Sequence, residues 1–316
     1  MQVFIFLKVD IMKTMKILFL GTPEFAAKNL EALTKEQDIE VVAVVSQPDR
    51  PVGRKQILAA PAVKVTAEAF GLPVFQPENN QELQEQIKKF NDIDFFIVVA
   101  FGMILPQSIL EIPKHGAINI HASLLPKYRG ASPIQQAILK GDSETGISIM
   151  QMDEKLDHGG IYEKLKIKID PKDTAAELSE KLAKLSSENI TSILRKIIRG
   201  ELSAKEQEHK LRSYCKKISK EDGEIDWHKS ATEIINMIRA YTPWPGTYTK
   251  FKDKKLKIIA AEKEDGKQEI GTFKLSGSKL QVGTSKGLIS PTIVQQEGKK
   301  ISKISDFING NRAFLE

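Results

Sequence analysis

Asn119 and His121 stand one residue apart in the stretch AINIHASLLPKYRG, residues 117 to 130. Residues i and i+2 of a β-strand project from one face. An amide and a titratable imidazole would therefore point the same way while Ile120 packs on the other side. Both groups can hydrogen-bond an oxygen on which negative charge develops, a contribution of a few kcal/mol per donor in acyl transfer. An isolated N-x-H tripeptide is also what a capped strand end looks like. The second polar element is Asp157, in GISIMQMDEKLDHGG, residues 146 to 160. The alternating apolar run reads as a strand, and Gly159 and Gly160 after the aspartate allow close backbone approach. A carboxylate brought beside His121 would orient the ring and help remove a proton from an attacking amine. Asp next to glycine is equally a turn residue, and His158 is read as one too.

These side chains need a scaffold, and the chain supplies its pattern. MKILFLG (15 to 21), IEVVAVVSQ (39 to 47), DFFIVVAFG (94 to 102) and AINIHAS (117 to 123) are short apolar or β-branched runs. Between them lie helically spaced residues, such as Phe25, Leu30 and Leu33, or Val63, Val65 and Ala69. Alternating strand and helix predicts an α/β fold, a Rossmann-like, open, mostly parallel sheet with helices on both faces. Ligand sites in such sheets lie outside the carboxyl ends of the strands, where Asn119 and His121 would sit. Residues 174 to 200 place Leu178, Leu182, Leu185, Ile193, Ile197 and Ile198 on one helical stripe, with Gly200 as the stop. Beyond a polar stretch come closely spaced short strands with glycine turns, which predict a small OB-like β-barrel. The boundaries read from this pattern are 1–14 as a disordered extension or mis-start, 15–200 as a catalytic domain, 201–215 as a linker and 216–316 as the basic barrel.

Composition narrows the function classes. With 316 residues, 41% hydrophobic and 28% charged, the chain can bury two separate cores. Its one cysteine, Cys215, can form no internal disulfide, which predicts a reducing, cytoplasmic compartment. No window approaches the ~18 consecutive apolar residues of a membrane span. In the first 21 residues, Lys8 and Asp10 interrupt the apolar run of an apparent signal peptide. The five histidines, 115, 121, 158, 209 and 228, show no i, i+4 pairing, so a metal-free mechanism is expected. The loop GTPEFA, 21 to 26, has neither dinucleotide nor P-loop spacing, and Glu24 would set negative charge where a phosphate needs helix N–H groups. Charge is segregated: residues 1 to 215 carry 28 Lys and Arg against 28 Asp and Glu, and residues 216 to 316 carry 19 against 13, the whole net +6. A basic C-terminal module suits a polyanion, and equally a lysine-rich solvated surface.

These motifs carry a resemblance. The stretch from Asn119 to Tyr162, with FLGTPEFAAKNLEAL (19 to 33) and SQPDRPVGR (46 to 54), closely resembles the methionyl-tRNA formyltransferases, and the match runs from about Met15 to the C-terminus. The Asn-x-His, S-L-L-P and distant Asp pattern is shared by enzymes that use 10-formyltetrahydrofolate. The segments ASPIQQAI, GDSETGISIMQMD and QPDRPVGR are more particular to the tRNA enzymes. The resemblance implies that Asn119, His121 and Asp157 are catalytic and that Ser123, Leu124, Leu125 and Pro126 contact folate. It also implies that residues 98 to 105, with Phe101, Gly102 and Ile104, line the pterin end. By the same resemblance Arg50, Arg54 and Lys55 contact initiator methionyl-tRNA, the donor is 10-formyltetrahydrofolate without a metal, and the enzyme is a monomer. Two departures stand out: Lys55-Gln56-Ile57 replaces a glycine and two lysines, and Gly160 replaces a common aspartate. A sugar-nucleotide N-formyltransferase and a catalytically idle RNA-binding protein are the alternatives.

Overall fold

The computed structural model describes residues 14–53, 56–312 and 315. Most of the expected N-terminal extension, and Arg54 and Lys55 of the expected tRNA contacts, lie outside the described residues.

The chain begins with β1 (Met15–Gly21), α1 (Glu24–Thr34) and β2 (Ile39–Val45), then a small hairpin, β3 (Arg50–Val52) and β4 (Ile57–Ala59). It continues through α2 (Ala62–Ala69), β5 (Val74–Phe75), α3 (Asn80–Ile87), β6 (Phe95–Val99), α4 (Gln107–Leu110) and β7 (Ala117–His121). Then come β8 (Arg129–Gly130), α5 (Pro133–Leu139), β9 (Glu144–Gln151), β10 (Ile161–Lys168) and the long α6 (Ala175–Ile198). The last part holds β11 (Tyr214–Cys215), α7 (Ala231–Ala240), β12 (Thr247–Phe251), β13 (Lys254–Glu264), β14 (Phe273–Ser276), β15 (Lys279–Gly283), β16 (Leu288–Gln296), β17 (Ser302–Lys303) and α8 (Ile304–Asn309).

Seven strands form one sheet in the order β10-β9-β7-β6-β1-β2-β5. The central pairings β1 with β2, β1 with β6, β6 with β7 and β2 with β5 are parallel, and β7 with β9 is antiparallel. Ile17 to Leu20 and Phe95 to Ile97 are fully buried, as strands covered on both faces must be. The four strands read from the sequence are present, each ending within three residues of its expected close. Along α1, Phe25, Leu30 and Leu33 are buried as their spacing requires. Along α2 the buried residues are instead Val63 and Ala67, while Val65 and Ala69 face solvent. Positions i and i+2 of a helix do not share a face, whereas i and i+4 do.

α6 buries Leu178, Leu182, Ile190, Ile193 and Leu194, whereas Ile198 is exposed at its C-terminal end. Gly200, at φ +70°, closes the helix: its N–H donates to Ile197 O at 3.0 Å, and Glu201 N–H to Lys196 O at 2.9 Å. This paired pattern needs a left-handed residue at that position. The starts of α3 and α7 are capped by side chains: Asn79 Oδ1 accepts from Gln81 N and Glu82 N, and Ser230 with Glu233 forms a reciprocal capping box on α7.

The C-terminal β region is antiparallel, in the order β12-β13-β16-β15-β14 with β17 beside β16. Its core holds Phe251, Leu256, Leu280, Val294 and Phe307. Residues 201 to 215 include β11, which pairs in parallel with β8 through Tyr214 and Arg129. By compactness the chain divides into one unit of residues 1–121, 148–163 and 183–206 and another of residues 122–147, 164–182 and 207–316. No described helix is long and apolar enough to cross a membrane.

Within the first unit, Arg195 of α6 makes a forked contact with Asp38, Nε to Oδ2 at 2.8 Å and Nη2 to Oδ1 at 2.6 Å, and reaches Glu36 at 2.8 Å. The hydrogen bond from the guanidinium holds the Asp38 carboxyl below its ordinary value of 3.8. A depressed carboxylate pKa contributes stability above the unfolded value and loses it as pH falls through the folded one. Arg195→Ala should therefore destabilise the protein by about 1 kcal/mol at neutral pH. The difference from the parent in urea midpoint should hold at neutral pH and shrink once pH falls below 3.8.

Candidate active site

β7 presents the two polar residues as its alternation requires. Ile118 and Ile120 are buried in the core, and Asn119 and His121 project from the other face. The strand is held on both sides, by Val98 opposite Asn119 on β6 and by Met150 opposite Asn119 on β9. His121 is 6% exposed and the Asp157 side chain 10%.

Asp157 arrives by an indirect route. Because β9 runs antiparallel to β7, its last residue, Gln151, lies opposite Ile118, at the far end of β7 from His121. The 152–160 loop must fold back along the sheet to bring Asp157 to the polar pair. Its two ends are tied together: Gln151 N–H donates to Gly160 O at 2.8 Å, and Met152 N–H to Ala117 O at 2.8 Å. Gly159 makes this closure possible, since a Cβ there would lie 2.1 Å from Gln151 O. Across the loop, His158 Nδ1 lies 2.6 Å from Asp153 Oδ2, and Asp153 Oδ1 accepts from Lys155 N–H at 3.0 Å. Asp157 itself adopts φ +47°, a left-handed conformation that Asp tolerates better than most residues.

The result is a convergent triad. Asn119 Nδ2 donates to Asp157 Oδ1 at 3.3 Å, and His121 Nδ1 lies 3.6 Å from the same oxygen. The second distance is ion-pairing range and longer than a direct hydrogen bond. One carboxylate oxygen thus fixes both the amide and the ring, and the protected setting strengthens every charge interaction there.

The loop after β6 leaves the sheet at the carboxyl end beside β7. Phe101 is buried in the core, with its carbonyl accepting from Thr22 Oγ1 at 3.1 Å. Ile104 is 77% exposed, and Gly102, at φ +85°, has open space where a side chain would stand. In the segment after β7, Ser123, Leu125 and Pro126 are buried and Leu124 is half-buried. Ser123 Oγ donates to Lys127 O at 2.6 Å.

The 50–59 hairpin exposes Arg50, Val52, Ile57 and Leu58. Asp49 anchors its base by accepting from Lys64 Nζ at 2.9 Å and from Gln76 Nε2 at 2.7 Å. These contacts hold the Asp49 carboxyl below its ordinary value. Sequence reasoning missed the anchor, whose partners are 15 and 27 residues away with no motif joining them. It also missed the bridge from Asp153 to His158, for which the i, i+5 spacing inside a glycine-bounded loop was the available signal. A third omission is Arg129, 2% exposed, whose Nη2 lies 2.7 Å from Gln207 Oε1 and 2.8 Å from His209 Nδ1. No group of three His, Cys, Asp or Glu among the described residues could hold a metal ion.

Comparison with known proteins agrees with this architecture. Residues 15–194 match the formyl transferase family, and residues 217–312 match the formyl transferase C-terminal domain. A methionyl-tRNA formyltransferase of Thermodesulfovibrio yellowstonii is 44% identical over 298 residues, covering 94% of this chain and 96% of that protein. One of Geobacter metallireducens is 44% identical over 306 residues, covering 95% and 97%. In fold, the chain is similar to the crystal structure of an N-formyltransferase from Helicobacter canadensis in complex with folinic acid and dTDP-3-aminofucose. That likeness has a TM-score of 0.67 at 20% identity and covers 88% of this chain and 98% of that one. With both of its domains matched in order and close relatives along nearly its whole length, the chain belongs to the formyl transferase family.

Proposed function

We propose that the chain transfers the formyl group of 10-formyltetrahydrofolate to the α-amine of methionyl initiator tRNA, giving N-formylmethionyl-tRNA for translation initiation. The observation that carries this reading is the single Asp157 oxygen within 3.3 Å of the Asn119 amide and 3.6 Å of the His121 ring. The names of the relatives near 44% identity support the acceptor.

In the reaction the amine nitrogen attacks the formyl carbon and the carbonyl oxygen takes up the electron pair. Asn119 and His121 donate to that oxygen, a role for preorganised donors in a site that excludes water. Asp157 orients both and helps accept the proton that the amine gives up. The bond from the formyl carbon to N10 then breaks, N10 takes a proton and tetrahydrofolate leaves. The donor is already activated, so no covalent enzyme intermediate is needed. Exposed Ile104 and the open space at Gly102 suit a flat heteroaromatic ring at the carboxyl end of β6, with Phe101 behind them. The family resemblance adds Ser123, Leu124, Leu125 and Pro126 to the folate contacts.

Residues 15–200 act as the catalytic domain, 201–215 as the connection and 216–316 as the basic tRNA-binding domain, acting as a monomer in the cytoplasm. Arg50, Arg54 and Lys55 make the loop that meets the tRNA. The basic C-terminal barrel would grip the phosphate backbone largely without sequence preference.

The test is formyl transfer from 10-formyltetrahydrofolate to initiator methionyl-tRNA, beside elongator methionyl-tRNA and an amino-sugar nucleotide. Formylation of the initiator alone is the expected result. Transfer to the sugar alone would overturn the acceptor, and silence on all three would favour a nucleic-acid binding protein without turnover. His121→Ala should lower kcat by at least about 10²-fold and leave tRNA binding essentially unchanged. Activity surviving that change would remove His121 as an oxyanion donor. Opening the loop bridge with His158→Ala should lower kcat about tenfold at unchanged KM for tRNA, because Asp157 loses its support. His158→Gln, which keeps a donor toward Asp153, should recover much of that loss.

A further inference from the structure

Trp244 is 51% exposed on the turn between α7 and β12. An exposed tryptophan alone is unremarkable on a protein surface. This one is set apart by how firmly the turn is fixed and by what stands beside it. Thr242 Oγ1 donates to Ile238 O at 2.7 Å, and Gly246 N–H donates to Tyr241 O at 2.8 Å, so the turn is stitched to the end of α7. Gly223 presses against it from below, with space for no side chain, because a Cβ there would lie 2.2 Å from Gly246 O. Pro243 and Pro245 flank the indole and remove two backbone N–H groups beside it.

The neighbouring hairpin is basic on one face. Tyr248 pairs with Lys257 and Lys250 with Lys255 across β12 and β13, and these four alternate with the buried Thr247, Thr249, Leu256 and Ile258. Lys257 Nζ reaches to 4.0 Å from where a Cβ on Gly246 would stand, two residues from Trp244. Lys255 Nζ sits 3.2 Å above the Tyr248 ring centroid, a cation–π contact that covers that face of the ring and fixes the ammonium. Among the described residues, no carboxylate lies within ion-pairing distance of the Nζ of Lys250, Lys255 or Lys257. Two acidic residues adjoin this face: Glu297, whose Oε2 accepts from the Lys255 backbone N–H at 3.3 Å, and Glu224, bridged to the Tyr248 backbone. Residues 250 to 257 hold five lysines against one aspartate, in the part of the chain that supplies the whole net charge.

An exposed indole on a fixed turn, next to a hairpin on which the Lys250, Lys255 and Lys257 ammonium groups form no ion pair among the described residues, is the chemistry that takes an unpaired nucleotide: base on the aromatic face, flanking phosphates on the ammonium groups. We propose that Trp244 is a stacking platform for an unpaired base of the tRNA acceptor, with Lys250, Lys255 and Lys257 holding the adjoining phosphates. The proposal rests on the tRNA reading above and adds a specific contact to it. A protein partner would pair these lysines with carboxylates, and an apolar surface would leave them stranded. Salt dependence therefore separates a nucleic acid from an apolar partner.

The test is binding of an initiator tRNA transcript to the full chain, with the salt dependence of affinity and the tryptophan emission recorded together. In a Trp227→Phe background Trp244 is the only tryptophan, and tRNA should quench it. Trp244→Leu should weaken binding about tenfold and leave the salt slope unchanged. Trp244→Phe, which keeps a ring, should recover most of the affinity. Lys255→Ala and Lys257→Ala should each lower the magnitude of the salt slope by about 1. Circular dichroism of each variant separates lost folding from lost contact. Unchanged affinity in folded Trp244→Leu, or emission indifferent to bound tRNA, overturns the platform while leaving tRNA binding intact. A parent chain that binds no tRNA overturns both this proposal and the acceptor reading.

Discussion

Asp157 reaches its partners only because the loop that carries it is pinched shut at its base. Gln151 N–H donates to the Gly160 carbonyl there, and Gly159 comes so close to the Gln151 carbonyl that no side chain fits between them. The site thus depends on a steric condition at a residue that touches no reacting group. Neighbouring restraints serve the same end: the Asp153 to His158 bridge stiffens the loop, and the left-handed backbone at Asp157 turns the carboxylate inward.

The scaffold was legible in the sequence where a single period governed it. The near-continuous apolar runs at 15 to 21 and 94 to 102 fit strands buried on both faces, and β1 and β6 within them are such strands. The long helix with its glycine stop was equally plain, since its buried face and its C-terminal turn are both local. Val65 was misread because a short helix offers too few turns to separate spacings of two and four residues. Alternation put Asn119 and His121 on one face, but it was the family resemblance that joined Asp157 to them. How they meet was not legible, because the route depends on β9 running antiparallel to β7 and on which ends of the two strands coincide. Local pattern carries no record of that pairing.

Long-range polar contacts were also invisible. The forked contact of Arg195 with Asp38 joins residues 157 positions apart, and Arg129 pairs with Gln207 and His209 across nearly 80. A charged residue on a surface pattern reads as solvated until the fold supplies its partner. Charge segregation survived translation into structure better, because it is a property of whole segments. The excess of lysine after residue 215 includes the dense cluster on the β12–β13 hairpin, on a face whose opposite side is buried.

The alternation along β7 makes the site a matter of parity. Ile118 and Ile120 fill the core only while Asn119 and His121 occupy odd steps along the strand, and hydrogen bonds to β6 on one edge and β9 on the other fix that count. One inserted residue upstream of Asn119 would exchange the two sets, burying an amide and an imidazole and turning isoleucine toward Asp157. Two inserted residues would restore the faces but slide the pair about 7 Å along the sheet, out of reach of the carboxylate. The chemistry is therefore written in the counting of the strand as much as in its residues, and drift in length is confined to the loops on either side.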